Sequence, residues 1–71
     1  MSRFWQIDSG RLRRLRKERL LTQQDLSRMT GISQDGISQL ETEKREAQPG
    51  TIKKLAEALG VEPKELMKEQ E

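Results

Sequence analysis

The sequence predicts an all-α fold, and three observations carry that expectation. Apolar residues recur at three- and four-residue steps. Gly, Pro, Ser and Thr stand at intervals suited to helix ends. No sustained apolar–polar alternation, the pattern of a half-buried strand, interrupts this rhythm. The 71 residues fit one domain spanning 1–71, with an N-terminal arm at 1–7 and a core at about 8–67.

Five helices follow in order. Asp8 or Ser9, both of the capping type, opens a first helix running to about Arg19. Leu12, Leu15 and Arg19 share one of its faces by spacing, and Leu20 with Leu21 closes the corner. Thr22 caps a second helix, Gln23 to Thr30, with Asp25 in the first turn where the helix dipole favours an acid. Gly31 ends it in the left-handed conformation a helix C-terminus uses. Two residues on, Ser33 caps a third helix from Gln34 to about Glu41, whose Ile37 and Leu40 face inward. Thr42 to Pro49 reads as a loop. Pro49, Gly50 and Thr51 open a fourth helix with Ile52, Leu55, Ala56 and Leu59 on one stripe, and Gly60 ends it. Pro63 starts a last short helix that returns Leu66 to the core.

Composition removes several function classes. A chain this short buries only roughly 60% of its unfolded surface. It has no Cys or His, hence no disulfide, no thiolate or imidazole metal site, and no Cys-His or Ser-His nucleophile. Its carboxylates and lysines form no coupled acid, base and nucleophile, so no enzyme, no cofactor and no metal are expected. No apolar stretch nears the ~20 residues of a membrane span, and the N-terminus lacks a signal-peptide core, so a cytoplasmic location is expected. Net charge is only +2, but Arg11, Arg13, Arg14, Arg16, Lys17 and Arg19 crowd the first third, while Glu57, Glu62, Glu65, Glu69 and Glu71 load the end. Such asymmetry can orient a protein on a polyanion.

Gln23 to Leu40, QQDLSRMTGISQDGISQL, has the organisation of a helix-turn-helix. Leu26, Ile37 and Leu40 fill the angle between two steeply crossing helices, Ile32 plugs the turn, and Ser27 is small where the second helix passes close. Beyond this segment the chain resembles the phage repressor/Cro family of XRE-like helix-turn-helix regulators from about Ser9 to Leu66. The resemblance rests on RLRRLRKERLLTQQDLSRMTGIS, ISQLETEKR and TIKKLAEALGV, in that order and at the family's spacing. It implies a five-helix lambda-repressor-like domain whose second and third helices form the motif.

The roles it implies are those of a sequence-specific double-stranded DNA-binding transcriptional regulator. Gln34, Asp35, Ser38 and Gln39 would read bases: Gln pairs with adenine N6 and N7, Asp accepts from cytosine N4, and Ser serves either way. Thr22, Gln23, Ser33, Thr42, Lys44, Arg45 and Thr51 would meet phosphates, with Gln23 also bracing the recognition helix. Arg16 and Glu41 match a structural salt bridge between the first and third helices. Such domains usually bind a palindromic operator as homodimers. Phe4 and Trp5 either fold back over the first helix or pair with a second subunit, and the helix from Pro63, with Leu66 and Met67, is the competing dimer surface.

Three departures stand out. Family members commonly have Asn-Gly where this chain has Thr42-Glu43, and Gly where it has Leu20, so either site is expected to hold a non-Gly residue at positive φ for a cost of ~1 kcal/mol. Gly36 inside the recognition helix lowers its propensity by about as much. A phage-type repressor or autoregulator, an antitoxin and a restriction–modification controller all fit. The alternative from another class is a protein-interaction module, meeting a protein partner, that keeps the fold without specific DNA binding.

Overall fold

The computed structural model describes residues 5–42 and 46–68. Four α-helices carry the architecture. α1 (Ser9–Glu18) begins at extended Asp8, whose Oδ1 accepts the Arg11 N–H at 3.1 Å. α2 (Gln23–Thr30) opens on a reciprocal cap: Thr22 Oγ1 accepts the Asp25 N–H and Asp25 Oδ2 accepts the Thr22 N–H, both at 2.9 Å. Gly31 ends it at φ +77°, and Ser33 Oγ then takes the Gly36 N–H at 3.0 Å to start α3 (Gln34–Thr42). α4 (Pro49–Leu59) has Pro49 at its start and Gly60, at φ +72°, after its end.

The segment from Pro63 differs from the expected fifth α-helix. Pro63–Leu66 is a single 3-10 turn, closed by bonds from the Glu65 N–H to Glu62 O (2.9 Å) and the Met67 N–H to Lys64 O (3.3 Å). The backbone just beyond is already committed: Leu66 O accepts the Asp8 N–H at 2.7 Å, and the Lys68 N–H donates to Gln6 O at 3.0 Å. An α-helix continuing through 68 would need the Lys68 N–H for Lys64 O, and Gln6 O holds it instead.

A short ladder was likewise not anticipated. β1 (Trp5–Gln6) pairs antiparallel with β2 (Glu46–Ala47), Trp5 opposite Ala47 and Gln6 opposite Glu46, while Ile7 bridges Met67 on the other side. Two-residue strands are too short to show alternation in sequence. The expectation for Phe4 and for the Trp5 side chain lies outside the described residues.

Ile7, Leu12, Leu26, Ile37, Ile52, Leu55, Leu59 and Leu66 form the fully buried centre, joined by Leu15, Leu40, Ala47 and Ala56. Every helix thus contributes a stripe at helical spacing. Two expected members are absent. Arg19 is exposed, because Arg16, one position round from Leu12 and Leu15, takes the inward place. Leu20 is 91% exposed at φ +56°, since the turn into α2 throws it outward and leaves Leu21 alone to pack against the core. Among the described residues every buried side-chain N or O atom has a partner.

Candidate nucleic-acid interface

Two short helices meeting at Gly31 set the geometry. Leu26 of α2 packs with Ile37 and Leu40 of α3, and Ile32 covers the turn. Ser27 Oγ donates to Ile32 O, which ties the second turn of α2 to the connection and explains the need for a small polar residue there. Thr30 completes the corner: its buried hydroxyl donates to Leu26 O at 2.8 Å and accepts the Ile32 N–H at 3.2 Å. Sequence reasoning missed Thr30; a Thr directly before a helix-ending Gly is the signal it left.

Packing this face inward turns the other outward. Gln34, Asp35 and Gln39 are exposed on α3, with Ser38 half-buried between them. Together they present amide, carboxylate and hydroxyl groups over about two turns, a set able to donate and accept along base edges. Gly36 sits beneath this row for a steric reason. A Cβ there would lie 3.1 Å from Ser33 Oγ and 3.2 Å from Ile32 Cγ2, tight against the cap and the turn plug.

The far end of α3 is clamped to α1 and α2. Arg16 Nε and Nη2 donate to Glu41 Oε2 and Oε1 at 2.6 and 2.9 Å. The third guanidinium nitrogen, Nη1, donates to Leu21 O at 2.7 Å, so Arg16 also fixes the turn leading into α2. Gln23 Nε2 reaches Glu41 Oε1 at 3.2 Å. One carboxylate therefore binds the end of α1, the start of α2 and the end of α3 into a rigid corner. The hydrogen bond to Glu41 raises the Arg16 pKa above its ordinary value against the opposing effect of burial. The Leu21 carbonyl's part left no trace in the sequence, because any residue supplies a carbonyl.

The phosphate candidates differ in what they can still offer. Thr22 and Ser33 are exposed and use their oxygens as cap acceptors, so each O–H remains able to donate. Gln23 keeps its second amide hydrogen beside the free N–H groups of the α2 N-terminus. Thr42 is exposed but donates its hydroxyl hydrogen to Ser38 O at 2.8 Å, which leaves it an acceptor. Thr51 is half-buried in the first turn of α4, its N–H held by Gln48 O at 3.0 Å. Lys44 and Arg45, with Glu43, lie outside the described residues. Among the described residues no cluster of three His, Cys, Asp or Glu side chains could hold a metal, and no helix is long and apolar enough to cross a membrane.

Two capped helices joined through a left-handed glycine, the second presenting an exposed polar first turn, define a helix-turn-helix. Residues 12–66 match the Helix-turn-helix family, and the chain belongs to it. Among curated proteins it is similar to the HTH-type transcriptional repressor RghR of Bacillus subtilis, 51% identical over 57 residues that make up 79% of this chain. The chain spans only 42% of RghR's length. It is also similar to the uncharacterised HTH-type transcriptional regulator y4dJ of Sinorhizobium fredii, 43% identical over 76% of this chain and 70% of that protein. Among solved structures, the restriction–modification controller protein C.AhdI of Aeromonas hydrophila superposes with a TM-score of 0.78 at 36% identity, covering 83% of this chain and 89% of that one. A hydroxyethylphosphonate dioxygenase mutant also superposes, with a TM-score of 0.78 at 28% identity, but over 14% of its own chain. That likeness concerns a helical segment of a much larger enzyme.

Proposed function

We propose that this chain is a sequence-specific double-stranded DNA-binding transcriptional regulator, a repressor or autoregulator acting in the cytoplasm as a homodimer on a palindromic operator. Residues 1–71 form the DNA-binding unit, and it is not an enzyme. The observation that carries this reading is the exposed row Gln34, Asp35, Ser38 and Gln39 on a helix whose other end is locked by the Arg16–Glu41–Gln23 network. A fixed helix presents the same hydrogen-bonding pattern to every duplex, which base reading requires. Thr22, Gln23, Ser33 and Thr51, with Lys44 and Arg45, hold the flanking phosphates, and Thr42 joins them by turning its hydroxyl hydrogen from Ser38 O to a phosphate oxygen. The repressor name of RghR and the controller role of C.AhdI support the regulatory reading.

Selection from random duplexes by the purified protein, at two salt concentrations, tests it. A two-fold-symmetric motif should emerge, blurred by Gln34→Ala and kept but weakened for every sequence by Arg45→Ala. Affinity should fall steeply with salt as phosphate contacts release counterions. Recovery of neither a motif nor salt-sensitive binding would overturn the proposal and leave the helix-turn-helix as a scaffold for a protein partner.

A further inference from the structure

α1 and its C-cap residue Arg19 carry six cations, and the structure divides them into two sets. Arg11 meets Glu65 at 3.5 Å, Arg16 meets Glu41, and Arg19 meets Glu18 at 3.9 Å. Arg13, Arg14 and Lys17 meet no carboxylate among the described residues. At 100° per residue these three fall with Gly10 on the side of α1 opposite Leu12, Leu15 and Arg16. All are exposed, and together with Glu18 they line a shallow groove. Gly10 leaves its floor open, and the aliphatic stems of the three cations form its walls.

The arrangement is unfavourable in the protein alone. Lys17 lies four residues from Arg13 and three from Arg14, spacings at which like charges repel on a helix. An anion seated across the three cations would relieve that repulsion. Arg16, on the opposite side of α1, meets Glu41 of α3, so the face carrying Arg13, Arg14 and Lys17 is turned away from α3.

We infer that this outer face of α1 is a docking site for an acidic polypeptide segment of a partner protein, its carboxylates on Arg13, Arg14 and Lys17 and its apolar side chains on their stems. The surface stays open while α3 holds DNA, so the same molecule can bind a duplex and the partner together. Charge complementarity of this kind speeds encounter and fixes orientation.

A short fluorescein-labelled peptide of alternating Glu and Leu is the probe, titrated with the full chain alone and with the chain saturated by its selected duplex. Saturable one-to-one binding is expected, unchanged by the duplex. Arg13→Glu/Arg14→Glu/Lys17→Glu should weaken it at least about tenfold, the sum of three exposed ion pairs. Lys53→Glu/Lys54→Glu/Lys64→Glu, which makes the same charge change at exposed positions elsewhere, should leave it within about twofold. Arg13→Gln/Arg14→Gln/Lys17→Gln repeats the measurement without introducing repulsion, and circular dichroism verifies folding. Equal losses in the two charge-reversal sets, or displacement of the peptide by duplex, would overturn the proposal. So would a loss of self-association confined to the α1 variants, which would assign the face to a second copy. The peptide arm without duplex stands even if no operator is found, so its failure is separable from failure of the DNA-binding reading.

Discussion

Arg16→Met removes the guanidinium from the buried corner but keeps an unbranched stem of similar reach. Glu41, whose side chain is 1% exposed, would be left with the Gln23 amide at 3.2 Å as its remaining donor. Breaking a buried pair from one side costs roughly 3–5 kcal/mol, most of it from the stranded charge. A domain of this size has a total stability of roughly 4–11 kcal/mol, so the variant should stand close to the edge of folding, its melting temperature lowered on the order of 20 °C. Glu41→Leu should cost less, about 2–3 kcal/mol, because Arg16 is 10% exposed and keeps the Leu21 carbonyl at 2.7 Å. Combining the two removes both charges, and the double variant should return to within about 1 kcal/mol of the parent. Urea unfolding of all four proteins, followed by circular dichroism, measures the coupling directly. A loss below about 1 kcal/mol for Arg16→Met, or losses that add in the double variant, would refute the account of this corner as a desolvated ion pair.

Four further substitutions test other features. Leu20→Gly should stabilise the protein by about 0.5–1 kcal/mol, read as a shift in the urea midpoint, since φ +56° strains Leu and its side chain packs on nothing that would be lost. Thr22→Ala should cost about 1 kcal/mol by removing a cap oxygen. The Thr22 backbone N–H, which donates to Asp25 Oδ2, above all holds the Asp25 carboxyl below the ordinary 3.8. A depressed folded value makes the Asp25 contribution complete above about pH 4 and lost as pH falls through that lowered value, a step that Asp25→Asn should erase from acid titrations of stability. Gly36→Ala should leave stability within about 0.5 kcal/mol, because the helix-propensity gain is offset by crowding of Ser33 Oγ and Ile32 Cγ2; a gain of a full ~1 kcal/mol would mean those neighbours yield freely.

Helix ends were the most legible part of the fold. Thr22, Ser33, Gly31 and Gly60 act through the backbone one to three residues away, so their chemistry is written locally. The buried stripe was legible for the same reason of periodicity, except at the α1–α2 turn. There the chain's path decides that Leu20 faces water while Leu21 packs, and Arg16 turns inward because Glu41, 25 positions away, receives it. The Arg16–Glu41 pair was expected through family resemblance, and the bonds to Leu21 and Gln23 came only from the structure. β1 and β2 were invisible because they depend on pairing between distant backbones, on which two-residue side-chain patterns say nothing, whereas the turn from Pro63 and the burial of Leu66 were legible but its 3-10 form was not. Within the candidate interface, sequence named the polar side chains of α3, while the hydrogen-bond commitments that make Thr42 an acceptor and leave Thr22 and Ser33 as donors needed coordinates.

Residues 6–8 lie between the β2 backbone and the backbone of 66–68, so the opening and closing stretches of the described chain are stitched to each other. Contacts of such long sequence separation form only after most of the intervening chain is organised. Once made, they tie residues 6–8 and 66–68 into the cooperative unit. Amide hydrogens of Asp8 and Lys68 should therefore exchange with solvent through the same global opening that frees the centres of α1 and α4, making the two ends reporters of cooperative unfolding.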